Sequence, residues 1–271
     1  MTKEQKILEI AYNYTLEKSG VSIIKLEYYL NEWEYKKPEN LNDVFKSFLI
    51  SAQNSGGMPN FIGKVDNLRT FLFDYSAIDV KRNYRNWENL FDCINNSSYK
   101  TPSLMNKKNN RNSWVKYCKS IIDISNFLSR FSNLNEFQKY VNQFINKENS
   151  DLRIALPLII KEEIFNIGFA LACDFIKENV SPEFIKPDTH INDIFIGIGI
   201  CDKFDNDYEI FRKVITFSEM TNKKPYWIDK LFWLIGSRRF YVNKKFNLET
   251  KFKNKSSKQE FIGIIKNTKL N

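Results

Sequence analysis

The 271-residue sequence predicts an all-α protein. Three observations carry that expectation. Apolar residues recur at helical spacing in segment after segment, capping residues and Gly or Pro breakers bound those segments, and no run needs the strict alternation of a half-buried strand. No internal repeat is evident. Lys3 to Lys18 carries Ile7, Leu8, Ile10, Ala11 and Tyr14 on one helical period. Val21 to Trp33 is mixed in pattern, and Tyr35 to Asn40 reads as a polar link containing Pro38. Asn42 or Asp43 is placed to cap a helix through Val44 to Gln53, which the run Asn54-Ser55-Gly56-Gly57 should stop. Lys64 to Tyr75 and Tyr84 to Ile94 read as amphipathic helices. Asn95 to Asn112 reads as a loop rich in Asn, Ser and Lys. Ser113 to Phe131 resumes a helix, and Asn135 to Ile145 forms another, capped by Asn133 or Asn135. Ile154 to Ile200 reads as helix, tight turn at Asn166-Ile167-Gly168, second helix, a link through Pro182 and Pro187, and a third helix opening at Asp188. Asp207 to Met220 and Trp227 to Ile235 follow as helices. Lys244 to Glu260 is too polar to pack heavily.

Composition narrows the function classes. The chain is long enough for one large domain or two packed lobes with a sizeable core. The formal charge is +9, but the segment from Tyr241 to Asn271 holds eight lysines against two glutamates, so most of that excess sits at one end. A basic balance suits nucleic acid or another anionic surface. The four cysteines, Cys93, Cys118, Cys173 and Cys201, are too scattered for a zinc site or an iron–sulfur cluster, and read as reduced and mostly buried. With His190 the only histidine, a His-dependent triad or multi-histidine metal site has no basis. The N-terminus lacks the apolar run of a signal peptide, and no stretch approaches a membrane span. A cytoplasmic protein without cofactors, metal cluster or membrane attachment is expected, nucleoid-associated if prokaryotic.

The stretch from Ile154 to Ile200 carries the chemistry. A hairpin between two helices exposes backbone N–H groups and the N-terminus of its second helix, which suit one phosphate of a DNA strand whatever its base sequence. Gly168 is free to take positive φ in that turn. The same residues would also serve an ordinary αα-hairpin. The second helix and its link should bring the chain back towards the same end of the hairpin, so that Asp188 can face the clamped strand. Asp188 is equally a good N-cap, and capping alone would explain it.

The run from Asn166-Ile167-Gly168 to Lys186-Pro187-Asp188-Thr189-His190-Ile191 resembles the signature of the helix-hairpin-helix glycine/proline–aspartate superfamily of DNA glycosylases. That family's valine-aspartate-threonine-histidine-valine run is matched by PDTHI. Ser51-Ala52-Gln53-Asn54 is similar to the Ser-Ala-Gln segment of its endonuclease III-like branch, and Leu231 to Tyr241 to its late helix ending in a Gly-Arg turn. The resemblance, which extends to 8-oxoguanine glycosylase-like members, implies a two-lobed helical fold with the active cleft between lobes. The lobes would be residues 42–205, with the hairpin at about 154–180, and residues 1–41 with 206–240. Residues 241–271 would form a basic C-terminal segment.

The implied activity is base excision on double-stranded DNA by a monomer. A damaged or modified base would be flipped out and its N-glycosidic bond hydrolysed. Asp188 would stabilise the oxocarbenium ion and orient the attacking water. Asn166, Ile167, Gly168, Phe169 and Ala170 would form the backbone clamp; Lys186 reads as a phosphate contact or a plain solvated charge, and Arg238 as a phosphate contact or a residue that structures the tail. Gln53 would fill the gap left by the base, unless it merely meets solvent at a helix end. His190 is expected to pack at the helix start, with tuning of Asp188 as its other role. Tyr75, Trp227, Trp233 and Phe169 are the aromatics that could line a base pocket; aromatics at helical spacing are more often core, Trp233 reads as core and Phe169 is the most ambiguous.

The departures from the pattern are informative. The position of the family's lyase lysine falls on Ala170, so strand cleavage is not expected. The cluster cysteines after the Gly-Arg turn are missing, and Asp174 and Glu178 bring negative charge close to the clamp. Two other readings stay open: a non-catalytic DNA-binding protein with the same hairpin, and a lyase using a lysine outside it, such as Lys186.

Overall fold

The computed structural model describes residues 1–55, 58–145, 150–240 and 256–270. Fourteen α-helices, joined by turns and short 3-10 segments, account for the regular structure, with no strand among the described residues. The chain divides into two compact units, Lys37–Val180 and a discontinuous one built from Met1–Lys36 with Ser181–Asn271.

The Lys37–Val180 unit holds α3 (Leu41–Gln53), α4 (Pro59–Ile62), α5 (Ala77–Asn83), α6 (Trp87–Asn95), α7 (Ser113–Leu128), α8 (Leu134–Asn142), α9 (Ala155–Glu163) and α10 (Phe169–Asn179). Its centre is α7, which packs on α3, α5 and α6 and buries Trp114, Tyr117, Ile121, Ile124 and Leu128. An apolar surface this wide needs neighbours on several sides. Phe48 of α3 stacks on Phe175 of α10 at a centroid distance of 3.6 Å, with Phe127 edge-on at 6.4 Å. Truncating one such ring would cost about 3–5 kcal/mol.

The discontinuous unit holds α1 (Lys3–Ser19), α2 (Ile23–Leu30), α11 (Thr189–Gly197), α12 (Asp207–Met220), α13 (Pro225–Ser237) and α14 (Ser257–Asn267). Here α13 is central, touching α1, α2, α11, α12 and α14. Pro225 starts it, where the missing N–H costs nothing. Its buried set includes Ile228, Leu231, Phe232, Leu234 and Ile235, and also Asp229 and Lys230. Lys230 pairs with buried Glu32 at 2.9 Å. Burial alone would raise the Glu32 carboxyl, but the Lys230 and Lys36 ammonium groups outweigh it and hold the pKa below the usual range.

Several expectations are corrected. Residues 181–205 group with the terminal segments and not with the hairpin, because Phe195 of α11 packs on Phe217 and Phe232 at 5.3 and 4.8 Å. Asn40 caps α3, not Asn42 or Asp43; Asn42 instead donates to the Asp74 carbonyl. Lys64 to Tyr75 is no continuous helix: Phe73, Asp74 and Tyr75 all take left-handed φ, and Arg69 pairs with Asp74. Tyr84 is an extended residue between α5 and α6. The polar C-terminal stretch ends in a packed helix, since α14 buries Ser257, Phe261 and Ile265. The Gly56-Gly57 stop signal and the lysines from Lys244 to Lys255 lie outside the described residues.

Candidate functional site

The hairpin turn is held by α7. The Phe165 N–H donates to Asp123 Oδ2 at 3.0 Å, and the Phe165 carbonyl accepts from Ser120 Oγ at 2.8 Å. Burial raises the Asp123 carboxyl against the pull of that N–H and of Lys119. The Phe165 ring is 41% exposed, and the Lys119 ammonium lies 5.1 Å from both it and Trp87. Asn166 takes φ 64°, and its Nδ2 donates to Ser55 Oγ at 2.8 Å. The left-handed residue is therefore Asn166 and not Gly168. Asparagine tolerates that conformation better than most residues.

Gly168 has φ −81° and ψ 167° and is the N-cap of α10. Any residue could adopt that backbone, and a Cβ there would meet nothing within 4 Å. What glycine supplies is the lack of a capping side chain. Among the described residues no side-chain hydrogen bond caps α10 at Gly168, so the Ala170 and Leu171 N–H groups, which have no intrahelical partner, are left for another acceptor. Ile167 and Phe169 are buried, so they anchor the turn, and Phe169 belongs to the core. Ala170 is half-buried.

The acidic neighbours are neutralised locally. Lys177, itself buried, lies 3.1 Å from Glu178 and 3.7 Å from Asp174. Gln53 is 5% exposed, and its Nε2 donates to the Gly63 carbonyl at 3.0 Å. It neither meets solvent nor projects from the unit, which does not suit it to fill a gap in DNA. A cleft of about 660 Å³ in the same unit, lined by Asn40, Asn42, Ser76, Phe131 and Asn133, lies at the far end of α3 from the hairpin turn.

Asp188 belongs to the other unit. It is the N-cap of α11, and one oxygen does the capping: Oδ1 accepts from the His190 N–H at 2.9 Å and the Ile191 N–H at 3.2 Å. Oδ2 accepts no hydrogen bond from any described residue. The side chain is half-buried. Its own N–H donates to the Lys186 carbonyl at 2.8 Å, closing a tight turn across Pro187.

No family model, curated protein or solved structure matches this chain.

His190 packs against α13. Its ring lies edge-on to Trp233 at 6.1 Å, and its Nδ1 is buried without a hydrogen-bond partner among the described residues. Burial lowers its pKa more than the Asp188 carboxylate raises it. Trp233 is only half-buried, not core, whereas Trp227 and Tyr75 are buried. Arg238 is half-buried and ends α13 in a left-handed cap with φ 64°. Lys186 is half-buried, and its backbone N–H donates to Asp229 Oδ2 at 2.6 Å. Ser120, Asp123 and Asp229 all hold site backbone, and none stood out in the sequence. The available signal was an Asp-Lys pair set inside the apolar run from Tyr226 to Ile235, since charges so placed need partners.

Proposed function

We propose that this protein is a monofunctional DNA N-glycosylase that flips out a damaged or modified base and hydrolyses its N-glycosidic bond. The observation that carries the reading is the division of labour within the Asp188 carboxylate. Oδ1 is fixed by two backbone N–H groups, and Oδ2 is left without a donor among the described residues. Breaking the bond to the base develops positive charge on the sugar, which a fixed carboxylate stabilises. The same group can orient or deprotonate the attacking water.

The uncapped N-terminus of α10 supports the DNA half of the reading. Its first-turn N–H groups and the helix dipole suit a phosphate oxygen. Lys119, Lys186 and Arg238 would add sequence-independent, salt-sensitive affinity. Ala170 at the lyase position favours hydrolysis without a Schiff base. Lys177 is buried and ion-paired with Glu178 and Asp174, so its amine is engaged within the protein.

A non-catalytic DNA-binding protein is the second reading, favoured by the fact that capping alone would place Asp188 as it stands. Mass spectrometry of free bases released from duplexes carrying oxidised, alkylated, deaminated and bulky modified bases separates the two. The enzyme should release at least one of them, and Asp188→Asn should release none while still binding DNA. Release of no base by wild type across the panel would overturn the enzyme and leave the binding protein. Borohydride trapping on abasic-site DNA should yield no adduct, and an adduct at Lys186 would restore the lyase.

A further inference from the structure

We propose that Asp229, a buried carboxylate in the middle of α13, is the positioning residue that sets Asp188, a role whose catalytic consequence rests on the excision reading above. Asp229 is 1% exposed in a helix surrounded by apolar packing. A carboxylate in such a place is costly unless it is paired and hydrogen-bonded. Its Oδ2 accepts the Lys186 N–H at 2.6 Å, and the Lys186 carbonyl in turn accepts the Asp188 N–H at 2.8 Å. Pro187 lies between them with its φ fixed by its ring. The chain entering Asp188 is thus tied to α13 one peptide before the turn and stiffened within it.

The chain leaving Asp188 rests on the same stripe. A Cβ on Gly236 would lie 2.6 Å from His190 Cβ, so only glycine lets His190 come this close. Trp233 meets the edge of the imidazole at 6.1 Å. Asp229, Trp233 and Gly236 stand at i, i+4 and i+7, which places them on one face of a helix. That face holds residue 186 on one side of Asp188 and residue 190 on the other, leaving Asp188 Oδ2 fixed in space without touching it. An error of about 1 Å in such a group can cost on the order of a hundredfold in rate.

The test uses Asp229→Ala and Asp229→Asn in the full chain, read by amide hydrogen exchange, DNA affinity and single-turnover base release. In Asp229→Ala the Lys186, His190 and Ile191 amides should exchange about tenfold faster or more, while α12 amides do not change. Base release should fall about a hundredfold with DNA affinity unchanged. Asp229→Asn should recover most of both, because its amide oxygen can accept the same N–H. Wild-type exchange at His190 and Ile191 in Asp229→Ala would overturn the proposal. So would faster exchange with undiminished release, since that marks a purely structural carboxylate. If wild type releases no base, the excision reading fails alone, and the exchange result still decides whether Asp229 positions Asp188. If Asp229→Ala does not fold, Gly236→Ala displaces His190 from the same stripe. Unchanged exchange at His190 and Ile191 in that variant would overturn the cradle.

Discussion

Helix α10 begins at a residue with no side chain, and helix α11 begins at a carboxylate. The two N-termini pose the same physical problem, backbone N–H groups that no helix turn can satisfy. At α10, Gly168 offers no capping side chain to the Ala170 and Leu171 N–H groups, and Ser120, Asp123 and Ser55 hold the preceding turn from outside. At α11, Asp188 answers them with one oxygen and keeps the other. An open N-terminus attracts an anion, while a closed one steadies the anion it already has. The proposed function gives binding to one and chemistry to the other of two helix starts that differ mainly in a single side chain.

Exchanging their properties should break the comparison in graded steps. The largest effect is expected from Asp188→Asn, where base release should drop on the order of a thousandfold in single-turnover assays. Asparagine caps about as well as aspartate, so the melting temperature should stay near wild type and DNA affinity should hold or rise. Gly168→Asp should do the reverse at α10. A capping carboxylate would occupy the Ala170 and Leu171 N–H groups and repel phosphate, weakening DNA binding about tenfold, while thermal stability rises by a few tenths of a kcal/mol. Gly168→Ser caps without charge, so a smaller loss of affinity is expected by fluorescence anisotropy; equal losses would show that occupancy of the N–H groups matters and charge does not. Asp188→Ala should destabilise the protein by about 1 kcal/mol in denaturant titration, because it removes the cap outright.

The smallest effect concerns pH. Burial lowers the His190 pKa in the folded protein, so below its ordinary value near 6.5 the unfolded chain binds a proton that the folded chain does not. Stability should fall as pH drops from 7 through that value towards the lowered one, and level off below it. His190→Gln should remove this part of the slope, which melting curves between pH 7 and pH 5 would reveal.

How much of this was legible in the sequence depended on whether the cause was local. Helix α12 runs from Asp207 to Met220 as its pattern indicated, because Asn206 and Glu209 form a capping box four residues long. Asp188 was legible as a cap for the same reason. The Lys64 to Tyr75 segment misled because its apolar spacing is helical while its backbone is set by Arg69 and Asn42 gripping Asp74. The left-handed residue of the hairpin moved from Gly168 to Asn166 because Ser55, more than a hundred positions away, supplies a partner for the asparagine amide. Gln53 turned inward for a similar reason, finding the Gly63 carbonyl. The apolar run around Asp229 signalled that it needs a partner, but the Lys186 N–H that it holds is a backbone group, which leaves no mark in a sequence.

The discontinuous unit sets an order of assembly. Tyr14 in the first helix donates to Glu260 and to the Ser257 carbonyl in the last, so this unit is stitched together by residues made at opposite times in synthesis. Domains generally fold as units, and earlier ones first, as the chain emerges. Residues 37–180 have all their helices by the time Val180 appears, whereas the cradle of Asp188 waits for α13 and then α14. On the proposed reading, a nascent chain would have the start of α10 in place before Asp188 is secured, and the group that needs the most accurate placement waits for the later helices.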